Sequence, residues 1–138
     1  MTSRSSLSHL EGHEFQPTEF EVTKEKIGQF ADAIGDQSYE SGEVAPPTMA
    51  ALYGLSAVGS LLALEEVSPH LARVIHADQE LTWERPVTAG ELLTTKGRIS
   101  RVRERSGAWF VTVESETCDS SGAPVGTSVS TLVIGGSE

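Results

Sequence analysis

Apolar positions along this chain follow one period before Arg73 and another after it. In the first half, Ile27, Phe30, Ala31 and Ile34 recur at i, i+3, i+4 and i+7, the spacing of an amphipathic helix lying on a core. Thr23 stands at its N-cap position, and Gly35 stands where such a helix would end in a left-handed residue. Residues 36–47 break the pattern and end in Pro46-Pro47, which disfavour helix before them. Thr48 then reads as the cap of a second helix over residues 49–66. Its apolar positions run nearly all round, which predicts a buried helix. Gly54 and Gly59 would let neighbouring backbone approach it closely, and Pro69 would stop it.

After Arg73 the period is two. Ile75, Ala77, Gln79, Leu81 and Trp83 are expected to face one way, with Val74, His76, Asp78, Glu80 and Thr82 facing the other. Further strands are predicted over residues 92–103, 108–118 and 125–134, with turns at Ser106-Gly107 and Asp119-Ser120-Ser121-Gly122. Four such strands in succession argue an antiparallel meander. A helix apolar on every side needs a wrapper, and a curled sheet is the simplest one. The predicted class is therefore α+β, an antiparallel sheet around a central buried helix. Residues 1–14, polar and Ser-rich, read as a loose N-terminal segment, and residues 15–138 as one domain.

Charge narrows the function. The 138 residues carry 20 acidic against 10 basic side chains, a net charge of -10, so nucleic acid is not an expected partner. Half of the cations, Lys96, Arg98, Arg101, Arg103 and Arg105, fall in one short strip. They fit either a solvated strand that resists edge pairing or a surface for a phosphopantetheine, a nucleotide phosphate or an acidic carrier protein. Cys118 is the sole cysteine, which excludes an intrachain disulfide and fits a reducing compartment. Residues 1–10 hold no apolar leader, and the apolar run 49–64 is interrupted by Gly54, Ser56, Gly59 and Ser60. A cytoplasmic protein without membrane association is expected. His9, His13 and His70 lack metal-ligand spacing, and no Gly-rich phosphate loop is present, so neither metal nor cofactor is expected.

Four segments taken together carry more information than any one alone. They are Val22-Thr23-Lys24-Glu25-Lys26-Ile27 leading to Ile34-Gly35-Asp36; Val44-Ala45-Pro46-Pro47-Thr48; Val74-Ile75-His76-Ala77-Asp78-Gln79; and Arg85-Pro86-Val87-Thr88-Ala89-Gly90-Glu91-Leu92. In this order and spacing, over about residues 12–134, the chain resembles the N-terminal-type MaoC-like dehydratases. The resemblance implies a hot-dog fold, usually doubled from two subunits or two fused repeats. It also implies acyl chains carried by coenzyme A or acyl-carrier protein. Catalytic members hydrate enoyl thioesters or run the reverse dehydration with an Asp-His pair. Water must lose a proton as it attacks C3 while C2 gains one, so an acid/base group has to serve both events. The charge developing on the thioester oxygen would be met by a backbone N–H at the start of the buried helix.

The sequence departs from that pattern at the decisive place. Asp36 matches the catalytic Asp, but Ser38 and Tyr39 stand at the Asn-Pro positions and Ser41 at the His. Loss of a general acid/base group typically removes about 10²–10⁴-fold in rate. Asp36 is thus either a retained acid/base or a solvated cap after Gly35. His76 and Asp78, expected on one strand face, are either a substitute dyad or an interface network. With Asp36 they are the candidate catalytic residues; Tyr39, Pro47, Thr48 and Gln79 are the candidate substrate-binding residues. Three functions remain open. The chain is the acyl-binding partner subunit of a (3R)-hydroxyacyl dehydratase, a repurposed stand-alone enzyme using Asp36, His76 or Asp78, or a non-enzymatic acyl or small-ligand binding module. Its partners would be an acyl-ACP or acyl-CoA thioester, and either a second copy or a catalytic MaoC-like subunit.

Overall fold

A computed structural model describes residues 6–136. Five strands form one antiparallel sheet: β1 (Thr18–Glu21), β2 (Val74–Trp83), β3 (Leu92–Arg105), β4 (Ala108–Cys118) and β5 (Pro124–Gly135). The spatial order is β1-β3-β4-β5-β2. The expected four-strand meander holds only for β3, β4 and β5. β2 crosses over to the far edge and pairs with β5, because residues 84–91 carry the chain across the end of the sheet. Ser106 and Gly107 both have positive φ, at 54° and 83°, which closes the β3–β4 hairpin with the twist its strands require.

Three helices accompany the sheet: α1 (Lys24–Ile34), α2 (Ala50–Gly54) and α3 (Ser56–Leu62). In α1 the Thr23 hydroxyl accepts from the Lys26 amide, and Gly35 ends the helix at φ 71°, as its sequence indicates. The central helix departs from expectation. It enters through a 3₁₀ turn, Pro47–Met49, and breaks at Leu55 into α2 and α3. Thr48 lies inside that turn, is exposed and caps nothing. Gly54 does allow close approach, since a Cβ there would lie 3.7 Å from Ser128 Cβ, whereas Gly59 has open space around it.

Both helices cover the concave face of the sheet. Near the β3–β4 hairpin, Ala57 and Leu61 of α3 pack on Ile99, Val111, Val113, Leu132 and Ile134. At the other end Met49, Ala50 and Tyr53 meet Val22, Ile27, Leu93 and Val125. Residues 7–14 are docked rather than loose. Leu7 and Leu10 are buried in the first cluster, Ile99 N–H donates to His13 O, and Phe15 N–H donates to Gly97 O. Leu7, at the N-cap of a 3₁₀ turn (Ser8–Leu10), and Leu10 at its end supply the apolar area that holds the segment down. Residues 1–5 of the expected loose segment lie outside the described residues.

Candidate functional site

Among the described residues no hydrogen bond links Asp36, His76 and Asp78. Asp36 ends the link after α1 and caps a 3₁₀ turn (Gln37–Tyr39). Its Oδ1 accepts from Ser38 N–H at 3.0 Å and from Ser38 Oγ–H at 2.5 Å. Those two bonds hold the carboxyl below its ordinary value. Asp36 is therefore an anionic cap in this loop, the same use that Asp119 finds with Ser121 at the β4–β5 turn. Ser38 supplies both donors.

His76 and Asp78 fall on opposite faces. A β-bulge leaves Ala77 unpaired between the His76–Leu132 and Asp78–Thr131 pairs and so resets the alternation. Val74, His76, Gln79 and Leu81 share the concave face with Ile134, Leu132, Ser130 and Ser128. Ile75, Asp78, Glu80 and Thr82 share the convex one. The expected His76–Asp78 pair is thus replaced by His76 Nε2 to Gln79 Oε1 at 3.0 Å. Gln79 Oε1 only accepts, so the ring donates through Nε2. The same oxygen accepts from Ser130 Oγ at 2.6 Å, and Gln79 Nε2 donates to Ser128 Oγ at 3.0 Å and Glu80 O at 3.1 Å. These four bonds use the whole hydrogen-bonding capacity of the amide.

A second locus lies at the other end of α2. A pocket of about 540 Å³ opens between the loop after α1, the start of the central helix and the end of β2. Its wall includes Tyr39, Ala45, Pro46, Pro47, Tyr53, Trp83, Arg85 and Val87. Two of the expected substrate-binding residues, Tyr39 and Pro47, are therefore in one wall, while Gln79 belongs to the network above. Volume and apolar lining fit a small-molecule or acyl site. Trp83 Nε1–H donates to Pro47 O at 2.8 Å and ties β2 to the helix entry.

Arg85, not singled out by sequence, fixes the pocket's far wall. Its guanidinium grips Glu91 through two bonds of 2.9 and 2.6 Å and reaches Asp119 at 2.8 Å. Glu91 in turn accepts from Thr88 N–H and Oγ1–H. The 34-residue separation of Arg85 and Asp119 hides this clamp from any local pattern. Hydrogen bonds from Arg85 hold the Glu91 carboxyl low; Asp119 is held low first by Ser121 and then by Arg85. Carboxylates depressed on folding add stability above their unfolded values and lose it as pH falls through the folded ones. Thermal denaturation of Arg85→Gln is accordingly expected to show a deficit at pH 6 that narrows toward pH 3. A pH-independent deficit would remove the clamp from the stability account.

The basic strip divides. Lys96 and Arg98 lie across from Glu116 and Glu114, with Arg98 paired to Glu114 at 3.4 Å. Arg101, Arg103 and Arg105 lie across from Thr112, Phe110 and Ala108. Among the described residues no cluster of three potential metal ligands occurs, and no helix is long and apolar enough to cross a membrane.

A five-stranded antiparallel sheet curled over a short central helix, with an apolar pocket at the helix entry, defines a hot-dog domain of the dehydratase type. The chain belongs to the family described as FAS1-like, dehydratase domain region, whose model matches residues 9–128. Within it the chain is a member of the UPF0336 proteins. It is 34% identical over 132 residues to the UPF0336 protein of Thermobifida fusca, covering 87% of each chain. It is 36% identical to that of Saccharopolyspora erythraea, covering 91% of this chain and 88% of the relative. The fold matches a chain of the HadBC (3R-hydroxyacyl-ACP dehydratase) complex of Mycobacterium tuberculosis. That match has a TM-score of 0.73 at 23% identity and covers 90% of this chain and 96% of that one.

Proposed function

We propose that this chain is the acyl-binding subunit of a (3R)-hydroxyacyl thioester dehydratase, working on acyl-ACP or acyl-CoA beside a partner that carries the Asp-His pair. One observation carries the reading. The Asp36 loop has become a self-capped turn, with Ser38 on the carboxylate and Ser41 in place of the His, while an apolar pocket of about 540 Å³ stands next to it. The pocket can hold a chain; the loop has no pair to move protons. The HadBC protein with a similar fold is itself a two-component complex. Strand β2 leaves one backbone edge unpaired and exposes Ile75 at 64%, a surface suited to a second hot-dog.

The stand-alone alternative loses its substitute dyad through the bulge at Ala77. The test is co-expression with an Asp-His MaoC-like chain encoded nearby, followed by hydration assays on an enoyl-CoA. This chain alone is expected to be inactive, and the partner's turnover to rise at least about tenfold with it, well within the range that completing a site supplies. Asp36→Asn in the assembled complex is expected to keep full turnover. Partner activity indifferent to this chain would overturn the proposal, and loss of turnover in Asp36→Asn would return Asp36 to the chemistry.

A further inference from the structure

Most polar side chains around the pocket are already committed. Trp83 Nε1 is spent on Pro47 O, and Arg85 on Glu91 and Asp119. Tyr39 is half-buried and Glu84 exposed, so water can serve both. Tyr53 is different. It sits on α2 in the second core cluster at 6% exposure, and its ring leans on Phe20 with centroids 5.8 Å apart. It also lines the pocket, and its hydroxyl, which makes no hydrogen bond among the described residues, is not sealed from solvent. The ring is buried while its oxygen stays accessible through the pocket, so the O–H takes its partner from whatever fills that pocket, water in the free protein. The open pocket is the direction from which that partner can come.

We propose that Tyr53 is a ligand-contacting residue whose hydroxyl donates a hydrogen bond to an uncharged oxygen of the chain held in this pocket. The inference deepens the acyl-binding reading and rests on it. Burial, with Glu91 nearby, pushes the phenol above its ordinary value, so it remains a donor at neutral pH. The surroundings also choose among oxygens. Of the charged residues Glu84 and Arg85 line the pocket, and the Arg85 guanidinium is already held by both oxygens of Glu91 and by Asp119. A free carboxylate would enter a negative field with no cation to receive it, whereas a thioester carbonyl carries no charge. The pocket therefore takes a neutral acyl thioester and rejects the free acid.

Tyr53→Phe removes one oxygen and keeps the ring, which makes it a clean test. Binding of decanoyl-pantetheine, its thioether analogue decyl-pantetheine and decanoate is measured by calorimetry on the full chain. Wild type is expected to bind the thioester more tightly than the thioether, and decanoate at least about tenfold more weakly than the thioester. Tyr53→Phe should weaken the thioester about five- to tenfold, the worth of one net hydrogen bond, and leave the thioether unchanged. Its ligand-free Tm should stay level, since the hydroxyl removed is one that water serves in the open pocket. Equal loss for both pantetheine probes, no loss for either, or a Tm several degrees lower would overturn the role of Tyr53 while leaving the acyl reading intact. Wild type that binds neither pantetheine probe would overturn both. Decanoate bound as tightly as the thioester would overturn the selection by charge.

Discussion

Gly97→Val is expected to be among the most damaging single substitutions in the chain, lowering Tm by about 10 °C or more. Gly97 lies on the concave face of β3, directly beneath α3. A Cβ there would overlap Ala57 Cβ and come within 3.0 Å of Ser115 Oγ. Carbon atoms in contact sit about 3.5–4.0 Å apart, so the helix would have to lift. It is poorly placed to do so, because Ala57 and Leu61 are locked into the cluster with Ile99, Val111 and Val113. Overpacking of this kind costs about 1–3 kcal/mol, occasionally more, against a total stability of about 5–15 kcal/mol. The cause can be isolated. Gly97→Ala alone should cost measurable stability, and adding Ala57→Gly should recover part of it, less about 1 kcal/mol for glycine in a helix. Strict additivity of the two changes in chemical denaturation would mean that the contact does not limit how closely helix and sheet approach.

That contact also shows which features a sequence can reveal. Thr23 and Gly35 bracket α1 because caps act over three or four residues, and Ser106-Gly107 closes a hairpin for an equally local reason. The alternation of Trp109, Val111 and Val113 against Phe110, Thr112 and Glu114 needs only one strand and one buried face. What was not legible depends on partners far along the chain. The bulge at Ala77 is defined by β5, more than fifty residues away, and it alone separates His76 from Asp78. The break at Leu55 lies next to Gly54, whose close neighbour Ser128 is more than seventy residues further on. Pattern carried the resemblance, which implies a catalytic His where this chain has Ser41. It did not find Arg85 as the pocket clamp or Tyr53 as a hydroxyl facing the pocket, since both properties arise only when separate segments meet.

Gln79→Leu is the second substitution expected to carry a large effect, and it separates a structural glutamine from a substrate-binding one. Gln79 faces inward across from Ser130, which is fully buried, and Ser128 next to it is nearly so. Both hydroxyls spend their bonds on the Gln79 amide, as does the ring of His76. Leucine would strand two buried hydroxyls in the sheet under α2, each costing about 1–3 kcal/mol in lost solvation. A total of roughly 2–6 kcal/mol follows where water does not reach the gap. Removing both sides of the network should then be far milder than removing one. Gln79→Leu combined with Ser128→Ala and Ser130→Ala is expected to regain most of the lost stability, because no polar group remains unsatisfied. A substrate-binding Gln79 makes the opposite forecast: the single variant would melt normally but bind acyl-pantetheine weakly, and the triple variant would do no better. Melting curves and binding isotherms on the same three proteins decide between them. The full use of the amide by its own chain favours the first outcome.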